Sequence, residues 1–426
     1  MKNNTTFALY GDVIYSADLQ SLAIYENSYL VCEDGRVAGV FRTLPDRYNG
    51  IKIKDHRGRL IIPALYDLHT HAPQYTFCAT GMDKELVEWL RTHTYAEEEK
   101  YSDLAYAEAA YRDFLTALTS GATARACIFA TVHTPATLML MQMLEDSGLI
   151  TMVGRVNMDR SVPPTLAEAS PEAAYADTRE WILESLSRFK STKPILTPRF
   201  IPTCSDGLME SLGRLQREFS LPVQSHLSEN KKEIEWVGRL SPESSCYADA
   251  YARFGLFGSG VPTVMAHCVH PTDIEFEMMR ERGVTVAHCP ASNMNLSSGI
   301  APVSKYVDSG LHVGLGTDVG AGQDLSVFRA ISDAVQVSKL RYHFTDGKER
   351  PITLNEAFYL ATRGGGAFFG KCGSFDKGYE LDALVLDDSA LATVRKISAA
   401  ERLERAIYLE KKVTIKEKYV SGKQIF

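Results

Sequence analysis

The sequence predicts an α/β fold, and three observations lead to that prediction. The middle of the chain alternates short apolar runs with amphipathic helical stretches, which is typical of a parallel sheet with crossover helices. This alternation gives eight strand–helix units, the number that closes a (β/α)8 TIM barrel. Both ends of the chain carry short β-like segments instead, so we expect the two termini to meet in one small β-sandwich-like domain.

The predicted domain boundaries follow from this pattern. The small β domain comprises residues 1–63 and 375–426, and the barrel comprises residues 64–374. The first barrel strand is predicted from residues 60–71, a run rich in Leu and Ile without helical periodicity. The other barrel strands are predicted at residues 122–130, 150–156, 195–198, 222–226, 263–267, 285–288 and 312–316. Helices are predicted at residues 102–120, 171–189, 206–219, 230–237 and 271–282.

Composition excludes several classes of protein. Of the 426 residues, 45% are hydrophobic and 23% are charged, which are ordinary values for a globular protein with a large core. The net charge is -7 and no Lys/Arg cluster is present, so nucleic acid is not an expected partner, whereas a nucleobase is compatible. The N-terminal residues 1–6 are polar, no segment is long enough to span a membrane, and the eight cysteines form no Cys-x-x-Cys. We therefore expect a cytoplasmic protein with free thiols and no membrane partner.

Histidines concentrate at the predicted strand ends. His69 and His71 lie two apart on the first strand and would point to the same side. An isolated His-x-His is as often an ordinary pair as a metal site, and a single strand-end His is more often structural. Five of the eleven histidines, however, close predicted strands: His69, His71, His226, His267 and His288. Because strand ends in a barrel share one rim, this concentration predicts a metal site there.

The expected ligands are His69, His71, His226 and Asp318, which follows the last barrel strand. Imidazole nitrogen and carboxylate oxygen suit one Zn²⁺, or Fe²⁺ as the alternative, with a position left for water. A bound cation lowers the pKa of its water towards about 7 and so supplies a hydroxide nucleophile. Asp318 could take the water's proton, and Glu229, one helical turn after His226, could carry a proton to a substrate. Alternatively, Glu229 stabilises the helix beginning near residue 230, and both roles are compatible.

Several motifs also carry a resemblance to a known family. They are His69-Thr70-His71-Ala72-Pro73-Gln74-Tyr75, Glu88-Trp89-Leu90, Thr197-Pro198-Arg199-Phe200, Gln224-Ser225-His226-Leu227-Ser228-Glu229-Asn230, Met265-Ala266-His267, Ala287-His288-Cys289-Pro290-Ala291-Ser292-Asn293 and Gly314-Leu315-Gly316-Thr317-Asp318. Over nearly its whole length the chain resembles the amidohydrolase superfamily, and within it the guanine deaminases. Members of this superfamily that bind two metals resemble one another in a carboxylated lysine, at the end of strand four, that bridges the metals. Arg199 stands there and cannot be carboxylated, which favours a single metal.

The resemblance implies zinc-dependent hydrolytic deamination of guanine to xanthine and ammonia, a step of purine catabolism. A metal-bound hydroxide would attack the amino-bearing ring carbon, with His267 close to the hydroxide or the developing oxyanion. Glu229 and Asp318 would shuttle protons and, like His226, would contact the substrate. Related enzymes are often dimers, which suggests a homodimer, although no stretch of the sequence identifies an interface.

Three side chains are expected to recognise the purine. Gln74 and Arg199 would hydrogen-bond its carbonyl and ring nitrogens, and Phe200 would lie against the ring face. The alternatives are that Gln74 caps a loop and that Phe200 is a core residue. Ala64, Leu68 and residues 91–97 depart from the family pattern, which puts the breadth of substrates in question.

Other questions stay open in the sequence. His93, His270 and His288 have no assigned role, although His288 is expected to be structural or at most to line the pocket. Another single-metal deaminase or chlorohydrolase of aminated heterocycles is a competing function, and so is a scaffold that has lost its metal. The small cytidine-deaminase fold is excluded, because its signature contains the Cys-x-x-Cys that this chain lacks.

Overall fold

The computed structural model describes residues 6–426, which form a mixed α/β structure. The strands are β1 Thr6–Ser16, β2 Leu22–Glu33, β3 Arg36–Phe41, β4 Lys52–Pro63, β5 Leu65–His71, β6 Thr123–Phe129, β7 Ile150–Gly154, β8 Val156–Asn157, β9 Thr192–Pro194, β10 Thr197–Pro198, β11 Val223–Leu227, β12 Thr263–His267, β13 Thr285–His288, β14 His312–Leu315, β15 Ala383–Asp387, β16 Thr414–Val420 and β17 Lys423–Gln424. The α-helices are α1 Leu86–Trp89, α2 Tyr95–Glu98, α3 Leu104–Ser120, α4 Thr134–Ser147, α5 Pro171–Arg188, α6 Asp206–Phe219, α7 Lys231–Leu240, α8 Tyr247–Ala252, α9 Asp273–Arg282, α10 Pro290–Asn295, α11 Val303–Asp308, α12 Val327–Phe344, α13 Leu354–Tyr359, α14 Gly365–Phe369 and α15 Ala399–Tyr408. Within the described range, no helix is both long and apolar enough to cross a membrane.

Strands from both ends of the chain share one seven-stranded sheet, in the order β17-β16-β15-β4-β1-β2-β3. The strand β4 joins the two halves, because it pairs parallel with β1 and antiparallel with β15. One face of this sheet packs a cluster that includes Leu9, Val13, Leu30, Ile61 and Phe375. Sandwich-like layering of this region stays a prediction.

The middle of the chain contains two four-stranded parallel sheets, β5-β6-β7-β9 and β11-β12-β13-β14. Between them, β8 pairs parallel with β10, and a parallel bridge joins Leu196 to Val223 of β11. Beyond β14, the backbone N–H of Asp318 donates to the carbonyl of His69 at 2.8 Å, so the last strand ends beside the first. These strands are buried on both faces, which explains their continuous apolar runs. Closure into one eight-stranded barrel stays a prediction.

The sequence predicted a single strand over residues 60–71, and this prediction is wrong, because the run divides between β4 and β5. It divides at Ala64, whose N–H donates to Asp382 at 3.0 Å in the terminal sheet, whereas the next residue, Leu65, donates to Ala122 at 3.0 Å in the parallel sheet. Pro63 has no N–H to continue a ladder, so the chain changes sheets there. The expected strand at 195–198 is likewise reduced to the two-residue β10.

Candidate active site

Five polar side chains converge beyond the C-terminal ends of the parallel strands. His69 and His71 come from β5, His226 from β11 and His267 from the end of β12, while Asp318 follows β14. The Nε2 atoms of His69 and His71 are 3.2 Å apart, and those of His71 and His226 are 3.3 Å apart. Strand ends that are distant in sequence thus bring all of the expected ligands to one point.

The spacing of these atoms suits a divalent cation. Oδ1 of Asp318 lies 3.1 Å from Nε2 of His69 and 3.3 Å from Nε2 of His71. Ligand atoms of His69, His71 and Asp318 all lie within 4.8 Å of one another, as do those of His69, His226 and His267. Ring nitrogens so close repel one another when they present lone pairs, and a cation between them removes that repulsion. The donor set therefore fits a metal with nitrogen and oxygen ligands.

Contacts on the far side of two imidazoles fix their tautomers. Nδ1–H of His226 donates to the Arg199 carbonyl at 2.6 Å, and Nδ1–H of His267 donates to Oδ1 of Asn293 at 2.9 Å. Burial would lower the pKa of His267, but Glu229 and Asp318 outweigh burial and raise it, which favours a second proton on Nε2 of this ring. The His226 ring, whose pKa burial lowers, presents an unprotonated Nε2 to the centre of the site. Burial lowers the pKa of His69 to about 4, which keeps that ring neutral as well.

The carboxylate of Asp318 is ionised in this environment. Burial alone would raise its pKa, but the neighbouring imidazoles, His69 foremost, outweigh burial and hold the pKa of Asp318 well below its usual value. Its second oxygen, Oδ2, lies 3.8 Å from Nε2 of His267. An ionised carboxylate thus stands beside His69 and His71, whose pKa values burial lowers.

Glu229 lies in the turn between β11 and α7, not one helical turn after His226 on a helix. The helix begins later, and its N-terminus is capped by Asn230 together with Glu233, so Glu229 does not supply the cap. Instead its Oε1 accepts from the Ser298 hydroxyl at 2.9 Å, and its Oε2 lies 3.5 Å from Nε2 of His267. The side chain is 2% exposed, and burial raises the pKa of its carboxyl group. A raised pKa lets a carboxyl group keep its proton to higher pH than an exposed glutamate does, which suits a proton donor.

One pocket opens onto these residues. It contains about 390 Å³ of space free of atoms, including its mouth. Its polar end is formed by His71, Gln74, Arg199, His226, Glu229, His267 and Asp318. Its walls are formed by Leu86, Trp89, Leu90, Phe200, Leu296 and Ala321. Apolar walls with polar groups at one end suit a small, flat, heterocyclic ligand.

The two predicted recognition residues, Gln74 and Arg199, are linked by a residue that sequence analysis missed. Glu98 accepts from Arg199 Nη1 at 2.6 Å and from Gln74 Nε2 at 3.1 Å. The Gln74 carbonyl accepts from the Gly320 N–H at 3.3 Å, so Gln74 both lines the pocket and caps the loop after β14. All of these side chains are almost completely buried.

Aromatic rings enclose the site on two sides. Phe200 lines the pocket, and its ring centroid lies 6.4 Å from those of both His226 and Trp236, so it combines a pocket face with core packing. Phe129, which sequence analysis did not select, packs 4.6 Å from the His71 ring and 4.9 Å from the His69 ring. Its position at the end of β6 is the signal that could have identified it.

The three histidines without a predicted role lie outside the pocket lining. His288 is buried, neither of its ring nitrogens has a partner among residues 6–426, and burial lowers its pKa to about 4. Nε2–H of His270 donates to the Ser298 carbonyl at 2.6 Å, which supports the residue that contacts Glu229. The ring of His93 lies 2.8 Å from the Thr92 hydroxyl.

Comparisons with known proteins give consistent matches along the chain. The sequence model of the amidohydrolase family matches residues 60–425. Guanine deaminase of Dictyostelium discoideum is 34% identical over 451 aligned residues, covering 100% of this chain and 99% of that protein. The crystal structure of guanine deaminase from C. acetobutylicum, with guanine bound in its active site, superposes with a TM-score of 0.95 and 43% identity, covering 99% and 100% of the two chains. An adenosine deaminase from Xanthomonas campestris with bound zinc shares the fold, with a TM-score of 0.79 at 21% identity over 98% of this chain and 92% of that one.

Proposed function

The chain belongs to the amidohydrolase family, and we propose that within it the protein catalyses the hydrolytic deamination of guanine to xanthine and ammonia. The observation that carries this proposal is the pocket, whose lining combines closely spaced nitrogen and oxygen donors and two carboxyl groups with apolar side chains. The similarity to guanine deaminases along the full chain, and to one with guanine in its active site, supports the same substrate.

The proposed architecture is a (β/α)8 barrel of residues 64–374 with a small β domain of residues 1–63 and 375–426. The two parallel sheets would be arcs of that barrel, and the bond from Asp318 to His69 supports closure between the last strand and the first. The division after Pro63, where the chain changes sheets, supports the domain boundary.

We assign one Zn²⁺ to His69, His71, His226 and Asp318, with Fe²⁺ as the alternative. The closely spaced donor atoms support the assignment, and the related adenosine deaminase fold carries zinc. When bound, the ion supplies a water of lowered pKa as the nucleophile. His267 stays outside the ligand set in this proposal, because its Nε2 faces both Glu229 and Asp318 at 3.5 and 3.8 Å.

Two carboxyl groups then divide the proton transfers. Asp318 is an ionised carboxylate whose Oδ2 can accept the proton of the attacking water. Glu229 has a pKa raised by burial, so it can hold a proton and deliver it to a ring nitrogen. The two protons of the attacking water then restore the proton of Glu229 and supply the one that the departing amino group takes up as ammonia. His267 lies between them and can hydrogen-bond the oxygen added to the ring carbon.

Purine recognition is assigned to Gln74 and Arg199 at the polar end and to Phe200 at the ring face. Both polar side chains present N–H donors, which match the carbonyl oxygen and ring nitrogens of guanine. His226, Glu229 and Asp318 complete the contacts around the amino-bearing carbon.

Guanine is the partner we propose, and neither nucleic acid nor a membrane is expected to bind. All eight cysteines are free thiols, which supports the predicted cytoplasmic location. A homodimer stays a prediction.

The test is to incubate the purified, zinc-containing protein with guanine and follow xanthine and ammonia. Stoichiometric release of both is expected. If guanine is inert while an aminopyrimidine, adenosine or a triazine is converted, the protein is a different single-metal hydrolase. If no heterocycle is converted and zinc is at background, the scaffold hypothesis is favoured.

A further inference from the structure

We propose that Glu98 is a specificity-determining positioning residue, which limits the purine-binding end of the pocket to hydrogen-bond donors. This inference deepens the proposed function and depends on it for the identity of the ligand. Glu98 does not line the pocket itself. It is completely buried and acts through Gln74 and Arg199, which do line it.

The first step is the orientation of the Gln74 amide. A carboxylate such as Glu98 only accepts hydrogen bonds, and the Gly320 N–H only donates. The amide therefore has to place Nε2 towards Glu98 and Oε1 towards Gly320, as the distances of 3.1 and 3.3 Å show. The second N–H of Nε2 then has no partner within residues 6–426 and can donate to a ligand, while Oε1 is held towards Gly320.

The second step is the guanidinium of Arg199. One N–H of Nη1 is taken by Glu98 at 2.6 Å, and the guanidinium makes no other hydrogen bond within residues 6–426. A guanidinium carries only donors, and the buried carboxylate compensates its charge. Arg199 therefore offers donors alone, and it shares with the free N–H of Gln74 a requirement for acceptors on the ligand.

The consequence concerns position 6 of the purine. At position 6, a 6-oxo purine presents an acceptor oxygen, next to the N1–H donor, whereas a 6-amino purine turns N–H donors against Gln74 and Arg199. Buried donors without partners make such a ligand costly to bind, which is how sites of this kind reject an analogue. Discrimination against the amino group thus originates from the carboxylate behind the pocket.

Hypoxanthine and adenine test this directly, because they differ at position 6 and lack the 2-amino group that the proposed reaction removes. Titration calorimetry on the zinc-loaded protein should show hypoxanthine binding at least about 100-fold more tightly than adenine. In Glu98→Gln, the new NH₂ group faces a donor and the Gln74 amide loses its fixed orientation. We expect this preference to fall at least about tenfold and the KM for guanine to rise by a larger factor than kcat falls.

Glu97→Gln is the matched control, since Glu97 is the adjacent buried carboxylate and bonds Thr76 at 2.6 Å and Lys100 at 2.7 Å instead. The preference of Glu97→Gln for hypoxanthine over adenine should stay within about twofold of that of the wild type. If Glu98→Gln does not fold, Glu98→Asp replaces it: the charge that Arg199 needs is kept, but the shorter carboxylate is withdrawn from Nε2 of Gln74, and a loss of preference in the same direction is expected.

A wild-type protein that binds adenine as well as hypoxanthine overturns the inference, and so does an unchanged preference in either variant. Failure of the proposed function would be seen separately, as a wild type that binds these purines with the expected preference but releases no ammonia from guanine.

Discussion

The proton-carrying role of Glu229 gives the sharpest test by mutation. Glutamine in its place keeps the shape of the side chain and can still accept from Ser298, which lies 2.9 Å away, but it cannot hold or deliver a proton. A positioned acid/base contributes about 10²–10⁴ in rate, so kcat for guanine should fall by at least about a hundredfold, or about 2.7 kcal/mol.

Zinc should be retained in Glu229→Gln, because the proposed ligands do not include this residue. Elemental analysis should therefore give about one equivalent, as in the wild type. Steady-state assays of xanthine formation supply kcat. Glu275→Gln is the control, because Glu275 is a buried glutamate that accepts from Ser228 at 2.7 Å but lies outside the pocket lining. Its kcat should stay within about threefold. A Glu229→Gln protein that retains more than a tenth of the wild-type kcat would refute the proton-transfer role.

Three further predictions follow from other contacts. His69→Ala should lose both bound zinc and activity, whereas His288→Ala should keep the zinc, and equal zinc contents would contradict the ligand assignment. Asn293→Ala removes the acceptor that holds the His267 ring at 2.9 Å, so kcat should fall about tenfold with zinc content unchanged, and a full wild-type rate would show that this contact is dispensable. Burial lowers the pKa of Lys418 from 10.5 to about 7, so the unfolded chain binds more protons between these values and stability should rise with pH across that window. Denaturant unfolding at pH 7 and 9 should show a gain about 2 kcal/mol larger in the wild type than in Lys418→Met, and equal gains would mean that Lys418 is charged in the folded protein.

The sequence could predict two kinds of feature: the strands and helices that alternate along the chain, and the polar side chains at the strand ends. Short apolar runs that end in His or Asp identify the strands and the convergent side chains, because parallel strands place their C-terminal ends on one edge. The strands at residues 263–267 and 285–288 have the predicted bounds. The predicted helices at residues 171–189 and 206–219 match α5 and α6 within a residue, because a Ser cap precedes each of them and α6 has a clear apolar face.

The sequence could not predict features that depend on a shift of helical register or on contacts between residues far apart in the chain. Glu98 lies in an acidic run that usually indicates a solvated face, but a π-turn at Leu90–Thr94 precedes it and shifts the helical register. Only the fold reveals that this carboxylate faces Arg199, which is 101 positions away. The α12 and α15 helices were not predicted, and α15 lies within the C-terminal region that was interpreted as part of the small β domain.

The central claim is that four separated side chains hold one divalent ion at the end of the pocket, and anomalous diffraction at the zinc absorption edge tests it most directly. The account predicts a single anomalous peak about 2.0–2.2 Å from Nε2 of His69, His71 and His226 and from a carboxylate oxygen of Asp318. A zinc-replete crystal without that peak, or with the ion held by other residues, would contradict it.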